Sequence, residues 1–278
     1  MSYLSRIDHA FSDAPVLPLS ENGRYVLFSD CHRGIGTSND NFLKNQHLYF
    51  AALNYYYQHS FCYIELGDGD ELWENRSFSA IQNIHSNVFW LLSLFYEEHR
   101  LFMLFGNHDI AKKDFHPFSD CCFHEGLRLK DCVTGQELYR THGHQADFFN
   151  STLWRLSCFL VRYLWKPLEQ FGVLDPTSAA KNYKVKNKTE QRLQEWTKLH
   201  NKILITGHTH RPVLGSKDSL YFNTGSCVHP RCITCIELVH RELSLVKWTL
   251  STKPDRTLFV AREVLAGPVG LDDLLKYS

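Results

Sequence analysis

Five short segments of this chain hold residues that could do chemistry together: Asp30-Cys31-His32, Gly67-Asp68-Gly69-Asp70-Glu71, Gly106-Asn107-His108-Asp109, His142-Gly143-His144 and Gly207-His208-Thr209-His210. Carboxylate, imidazole and one amide oxygen, with no thiolate, form a mixed N/O donor set. That set suits Mn, Fe, Zn or Ni better than Ca or a cysteine-rich structural zinc. One such segment alone reads as ordinary turn chemistry; the signal is their recurrence. Asp30, His32, Asp68, Asn107, His142, His208 and His210 make seven candidate donors. Seven are too many for one tetrahedral ion and suit two divalent ions that share a carboxylate. Cys31 should point away from its neighbours and pack.

What must position these donors is a set of strands. Residues 25–28, 62–66, 101–105, 138–141 and 203–206 are short apolar runs, and each ends one or two residues before a donor. Helical patterns over 41–59 and 77–98 separate the first three, so the order is βαβαβ with parallel strands. Ligands of open α/β sheets lie beyond the carboxyl ends of the strands, so the five loops can meet at one edge. A further strand at 220–223 precedes Thr224-Gly225-Ser226, and 233–238 with 243–248 reads as a hairpin. The expected fold class is α/β: two sheets face to face with helices outside, a single domain over 1–278, and a helical insertion, or cap, over 148–202.

In that order the strings SDCH, GDGDE, GNHD, HGH and GHTH, spread over 26–226 with NTGS at 223–226, resemble the calcineurin-like metallophosphoesterase superfamily. The resemblance implies an αββα sandwich that cleaves a phosphodiester, diphosphate or phosphomonoester. It implies one ion on Asp30, His32, Asp68 and His210, and another on Asp68, Asn107, His142 and His208, with Asp68 bridging and Mn the foremost metal. In such enzymes a hydroxide held between the ions attacks phosphorus in line. His108 would meet the phosphate or leaving oxygen, Asp109 would orient that imidazole, and Gly106 would allow a sharp turn. The layout is nearest to the UDP-2,3-diacylglucosamine hydrolase-like group. It departs from that group at His108, where arginine is usual, and at His144, where the group has HGD; the same substrate is therefore not expected. GDGDELWE and Asp109 depart from the GDxxDRG and GNHE of protein Ser/Thr phosphatases.

Arg33 and Arg211 flank donors and could clamp a phosphate bidentately, and His144 could touch substrate. The expected partner is a small phosphorylated molecule, nucleotide- or lipid-linked. Residues 152–165 can form an apolar, aromatic helix with Arg155, Arg162 and Lys166 on one stripe. Such a helix suits a membrane surface or an apolar channel, or packs as a cap with its stripe in water. The basic run 181–188 either borders the site or is a solvated loop.

Thirty Lys and Arg balance thirty Asp and Glu, so no net field would hold a long nucleic acid. Nine unevenly spaced cysteines suggest free thiols in a reducing cytoplasm, and Cys232 and Cys235 read as core thiols. Neither a secretory leader nor an apolar run of ~18 residues is evident. The expected location is cytoplasmic, with membrane contact at the cytoplasmic face through 152–166. Two readings without turnover stand beside the enzyme: a scaffold that keeps the fold, and a peripheral membrane protein. The last ~30 residues carry no motif and should pack on the sheet or on a partner subunit.

Overall fold

A computed structural model of the chain describes residues 1–37, 40–114, 118, 123–165 and 182–275. In chain order its elements are α1 (Tyr3–His9), β1 (Val16–Leu19), β2 (Arg24–Phe28), α2 (Gln46–Gln58), β3 (Cys62–Leu66), α3 (Phe78–Ile84), α4 (Ser86–Glu97), β4 (Leu101–Leu104), β5 (Phe123–His124), β6 (Gly126–Asp131), β7 (Glu137–Thr141), α5 (Phe148–Ser151), α6 (Trp154–Leu160), α7 (Tyr183–His200), β8 (Ile203–Thr206), β9 (Tyr221–Asn223), β10 (Cys232–Val239), β11 (Glu242–Thr252), β12 (Leu258–Gly270) and α8 (Leu271–Leu275). One sheet runs β1-β6-β7-β8-β9 and the other β12-β11-β10-β2-β3-β4-β5. The fold is α/β, two mixed sheets flanked by helices, as the strand pattern predicts.

Period-two alternation makes the sandwich. Tyr25 and Leu27 of β2 face the space between the sheets, where Ile64, Leu66 and Leu104 meet Leu127, Leu138 and Ile205 of the other sheet. Val26 and Phe28 point the opposite way, toward Tyr49, Leu53 and Tyr56 of α2 and Leu92 and Phe95 of α4. Successive strand residues face opposite sides, so four apolar residues in a row serve two cores. A fully buried side chain of this size contributes roughly 1.5–3 kcal/mol. A third cluster joins Ile7 and Phe11 to Leu193 and Trp196 of α7 and to Leu204 and Tyr221, closing the outer face of the five-stranded sheet.

β2, β3, β4 and β5 pair in parallel, as do β7, β8 and β9, so each run delivers its carboxyl ends to one edge. That juxtaposition is what places the site.

Several expectations are refined. The helical pattern over 77–98 is two helices, broken at His85, whose Nε2 is 3.0 Å from Asp40 Oδ2. The segment 148–202 is not uniformly a cap: α7 packs as a layer helix of the sandwich, whereas among the described residues α5, α6 and a π-helical turn over Val161–Trp165 add no residue to that cluster. Arg162 leaves the basic stripe by turning inward to the carbonyls of Leu72 (3.0 Å) and Trp73 (2.7 Å). Lys166 and Lys181 lie outside the described residues. The chain after 250 forms β12, an edge strand on β11. All seven cysteines among the described residues are free thiols. Among those residues, no helix is long and apolar enough to cross a membrane.

Candidate metal centre

The backbone first shows that the strand ends are unusual. Asp30, His32, Asp68, His208 and His210 all hold positive φ, between 49° and 67°. Few non-glycine residues adopt this region, and such residues concentrate where structure is held for function. Neighbouring glycines make room. A Cβ on Gly106 would collide with Asp68 Oδ1, so glycine stands there to let two loops touch. Close approach, rather than the expected sharp turn, is its reason, since its φ is not positive.

The donor atoms converge in two groups. Asp30 Oδ1 lies 3.0 Å from His210 Nε2, which is 3.3 Å from His32 Nε2. His32 Nε2 is 3.9 Å from both Asp30 Oδ1 and Asp68 Oδ2. On the other side of Asp68, Oδ2 is 3.1 Å from His142 Nε2, and Asp68, His142 and His208 offer donor atoms all within 4.8 Å of one another. Asp68 Oδ2 therefore borders both groups. Its other oxygen accepts the His108 N–H at 2.8 Å, which seats the loop carrying Asn107.

Four of these atoms, Asp30 Oδ1, Asn107 Oδ1, His142 Nε2 and His208 Nε2, are buried with no hydrogen-bond partner. Leaving one buried polar atom unpaired costs about 1–3 kcal/mol. All four can offer a lone pair to a divalent cation, His142 once the Nε2 proton that Asp68 favours has left. The residues present fit metal ions.

Surrounding groups lock the donors. Leu66 carbonyl is 3.0 Å from His142 Nδ1. Asp30 Oδ2 accepts the His208 N–H at 3.0 Å and also meets Ser29 Oγ, which in turn contacts Thr224 Oγ1 at 2.7 Å. Thus Thr224 of the NTGS segment braces Asp30. Asp147, unassigned from sequence, sits 3.7 Å from His208 Nε2 while its carboxylate caps α5.

His108 is held differently from expectation. Its Nδ1 is 2.8 Å from Glu71 Oε1, and the Trp73 indole stacks on it at 4.3 Å, 26° from parallel. Glu71, not Asp109, orients the imidazole. The available signal was position, since Glu71 is three residues after Asp68 in an acidic run. Burial opposes its charge, but His108 and His32 outweigh burial and hold the Glu71 carboxyl down at about 2. Burial likewise disfavours a charged His108, yet Glu71 and Asp68 prevail and push it up to about 10.

Asp109 has another task. It accepts backbone N–H groups from Gly106 (2.7 Å), Asp68 (3.1 Å) and Gly69 (3.0 Å), stapling the ends of β3 and β4 together. Lys112 Nζ lies 2.7 Å from it and 2.5 Å from Asp70.

Arg33 also requires correction. It is fully buried, its Nε bonds Asp70 at 2.7 Å, and its Nη2 bonds Glu65 at 3.0 Å, so no phosphate can reach it. Arg211 presents its Nε–Nη2 edge to Glu190 of α7, with Asn187 at 3.1 Å, which leaves that bidentate edge taken. His144 is buried beside His142 and His208, with ring centroids 5.5 and 6.5 Å away. Burial first, then those two rings, hold it well below the usual histidine range, so it is a neutral neighbour of the donors.

No family model matches the chain, and no curated protein does. Among solved structures, Vps29 from Chaetomium thermophilum superposes with a TM-score of 0.40 and 11% identity, covering 87% of this chain and 96% of that one. At that level the likeness identifies neither family nor function.

Proposed function

We propose that the chain is a dinuclear-metal phosphohydrolase acting on a small phosphorylated substrate. Asp30, His32, Asp68 and His210 would hold one ion; Asp68, Asn107, His142 and His208 would hold the other. The observation that carries this reading is the convergence of four buried donor atoms, none with a hydrogen-bond partner, from four strand ends around Asp68. When bound, two divalent ions supply Lewis acidity toward a phosphoryl group and acidify a water molecule; Mn is the first candidate. The chain's own part is positional and protonic. Glu71 holds His108 through Nδ1 and Trp73 covers its ring face, so Nε2 is the atom to offer to substrate. A protonated His108 donates to the phosphate or the departing oxygen.

The test is a panel of p-nitrophenyl phosphate, bis-p-nitrophenyl phosphate and UDP-sugars with Mn-loaded protein. Turnover of at least one substrate, abolished together with ion binding in Asp68→Ala, supports the reading. Tight ion binding with no turnover of any ester would favour the scaffold reading instead.

An observation on the cap bears on substrate class. Phe148, Phe149, Leu156, Phe159, Tyr163 and Leu164 are exposed, Phe159 by 59%. The stretches 148–165 and 182–189 contain Arg155, Lys184 and Lys188 at the surface and no Asp or Glu. Apolar and basic together complement an anionic bilayer and thus a lipid-linked phosphoester. Sedimentation with phosphatidylglycerol vesicles, weakened by salt and by Phe159→Ser with Tyr163→Ser, is the expected result. Failure to bind them removes the membrane contact and leaves the metal chemistry standing.

A further inference from the structure

Glu71 touches two histidines that have different work. Its Oε2 lies 2.9 Å from His32 Nδ1, and its Oε1 lies 2.8 Å from His108 Nδ1. The two rings stand edge to face, with centroids 4.8 Å apart. Glu71 is itself fixed. Its N–H donates to the Arg33 carbonyl at 3.0 Å, and its carbonyl accepts from the Asn75 backbone and side chain at 3.1 and 2.9 Å.

A carboxylate can only accept, and a neutral imidazole carries one proton and one lone pair. Both Nδ1 atoms facing Glu71 must therefore be protonated. For His32 this leaves the lone pair on Nε2, the atom that faces Asp30, His210 and Asp68. For His108 it leaves Nε2 to the substrate side. One carboxylate thus decides the tautomer of a candidate ion ligand and the orientation of the candidate proton donor.

We propose that Glu71 is a positioning residue that couples ion binding at His32 to the state of His108. The proposal rests on the metal-centre reading above. If His108 draws hydrogen-bond strength from the shared carboxylate, it weakens the grip of Glu71 on His32; an ion that pulls electron density from His32 tightens that grip and loosens the other. The acidic run thereby does more than hold a catalytic imidazole: it lets the ion position and the substrate position respond to each other.

Glu71→Gln isolates the effect. Glutamine is nearly isosteric but offers one acceptor oxygen and one donor NH2. It can satisfy one Nδ1–H; the other ring must move its proton to Nε2 or lose its partner. If that ring is His32, its lone pair leaves the ion position. Outer partners of metal-bound histidines are worth about 10–100-fold in affinity. Mn binding is measured by equilibrium dialysis with elemental analysis, on wild type, Glu71→Gln and His108→Ala. The expected result is two ions on wild type, one of them bound about 10–100-fold more weakly in Glu71→Gln, and that same ion bound more tightly in His108→Ala. Imidazole 15N resonances of the metal-free wild type should show protonated Nδ1 on both rings. The effect of His108→Ala on affinity should vanish in the Glu71→Gln background, which a merely structural glutamate would not produce. If wild type binds two ions and Glu71→Gln binds both equally well, or if His108→Ala leaves affinity unchanged, the coupling is wrong. If wild type binds none, the metal-centre reading itself has failed.

Discussion

Two buried acid clusters lie side by side in this protein, and they solve the same problem in opposite ways. Glu65, Asp70 and Asp109 are fully buried, and the chain supplies their counter-charges in Arg33 and Lys112, also fully buried. Asp30 and Asp68 are equally buried, but among the described residues no lysine or arginine pairs with them; their neighbours are imidazoles, His210 at 3.0 Å from Asp30 Oδ1 and His142 at 3.1 Å from Asp68 Oδ2. Three carboxylates can look like a metal site by proximity alone, as Glu65, Asp70 and Asp109 do. What separates the clusters is whether covalently attached cations already fill the space. One cluster holds covalently attached cations against its carboxylates; in the other, on the proposed reading, cations from solution would take that place.

The largest expected effect falls on the internal cluster. Lys112→Met leaves Asp70 and Asp109 without their shared ammonium, and breaking a buried pair by removing one partner costs about 3–5 kcal/mol. Urea unfolding at neutral pH should show a loss of that size, and added Mn should not restore it. Restoration by Mn would mean that this cluster too takes an ion from solution, and the contrast would collapse.

Next is chelation, which should act on the other cluster alone. An ion present at 100 times its Kd stabilises the fold by about 2.7 kcal/mol. Removing ions with EDTA should lower the unfolding midpoint of wild type and of Lys112→Met by the same free energy, with recovery on adding Mn. Unequal decrements would show the two clusters to be one network.

Their legibility in the sequence differed in the same way. The donors of the ion-seeking cluster were readable because each stands at a strand end behind an apolar run, as with Phe28 before Asp30 and Thr206 before His208. The internal cluster was not readable. Arg33 is three residues past Asp30 and looks like a phosphate clamp, yet the parallel pairing of β2 with β3 turns it inward onto Asp70. Nothing local distinguishes the two orientations. Adjacency in sequence suggests Asp109 as the partner of His108, whereas the tertiary fold brings Asp68 and Gly69 to it across two loops. Among strands, β2, β3 and β8 follow from their apolar runs. β1, with Pro18 inside it, and β12, with Arg262 and Glu263 mid-strand, lack that signal because both are edge strands with one side open to solvent.

A smaller effect should appear in acid. Burial acts to raise Asp70, but Arg33 and Lys112 prevail and hold it at about 2, against an ordinary 3.8. A depressed folded-state value contributes stability that is whole above pH ~4 and is lost as pH falls toward ~2, roughly 2 kcal/mol in all. Metal-free protein should show this acid limb in urea titrations, and Lys112→Met should show a shallower one. An unchanged limb in the variant would mean that Lys112 does not hold Asp70 ionised.

The smallest effect is the most direct reading of the contrast. In the metal-free protein burial disfavours a charged His142, but Asp68 and Asp30 outweigh it and push His142 up to about 9. At pH 7.5 the metal-free His142 is then protonated on both nitrogens, with the Leu66 carbonyl on Nδ1 and Asp68 on Nε2. An ion taken up through Nε2 must displace that proton, because a nitrogen cannot carry both. Loading with Mn at pH 7.5 should release about one proton per chain from His142, seen as a dependence of calorimetric heat on buffer ionisation. His142→Gln should release one proton fewer while still binding an ion at His32 and His210. In the internal cluster the ammonium of Lys112 keeps its protons, because Asp109 and Asp70 outweigh burial. Loading without proton release would mean that the counter-charge of Asp68 is not a proton held by His142, and that the second cluster is already balanced before any cation arrives.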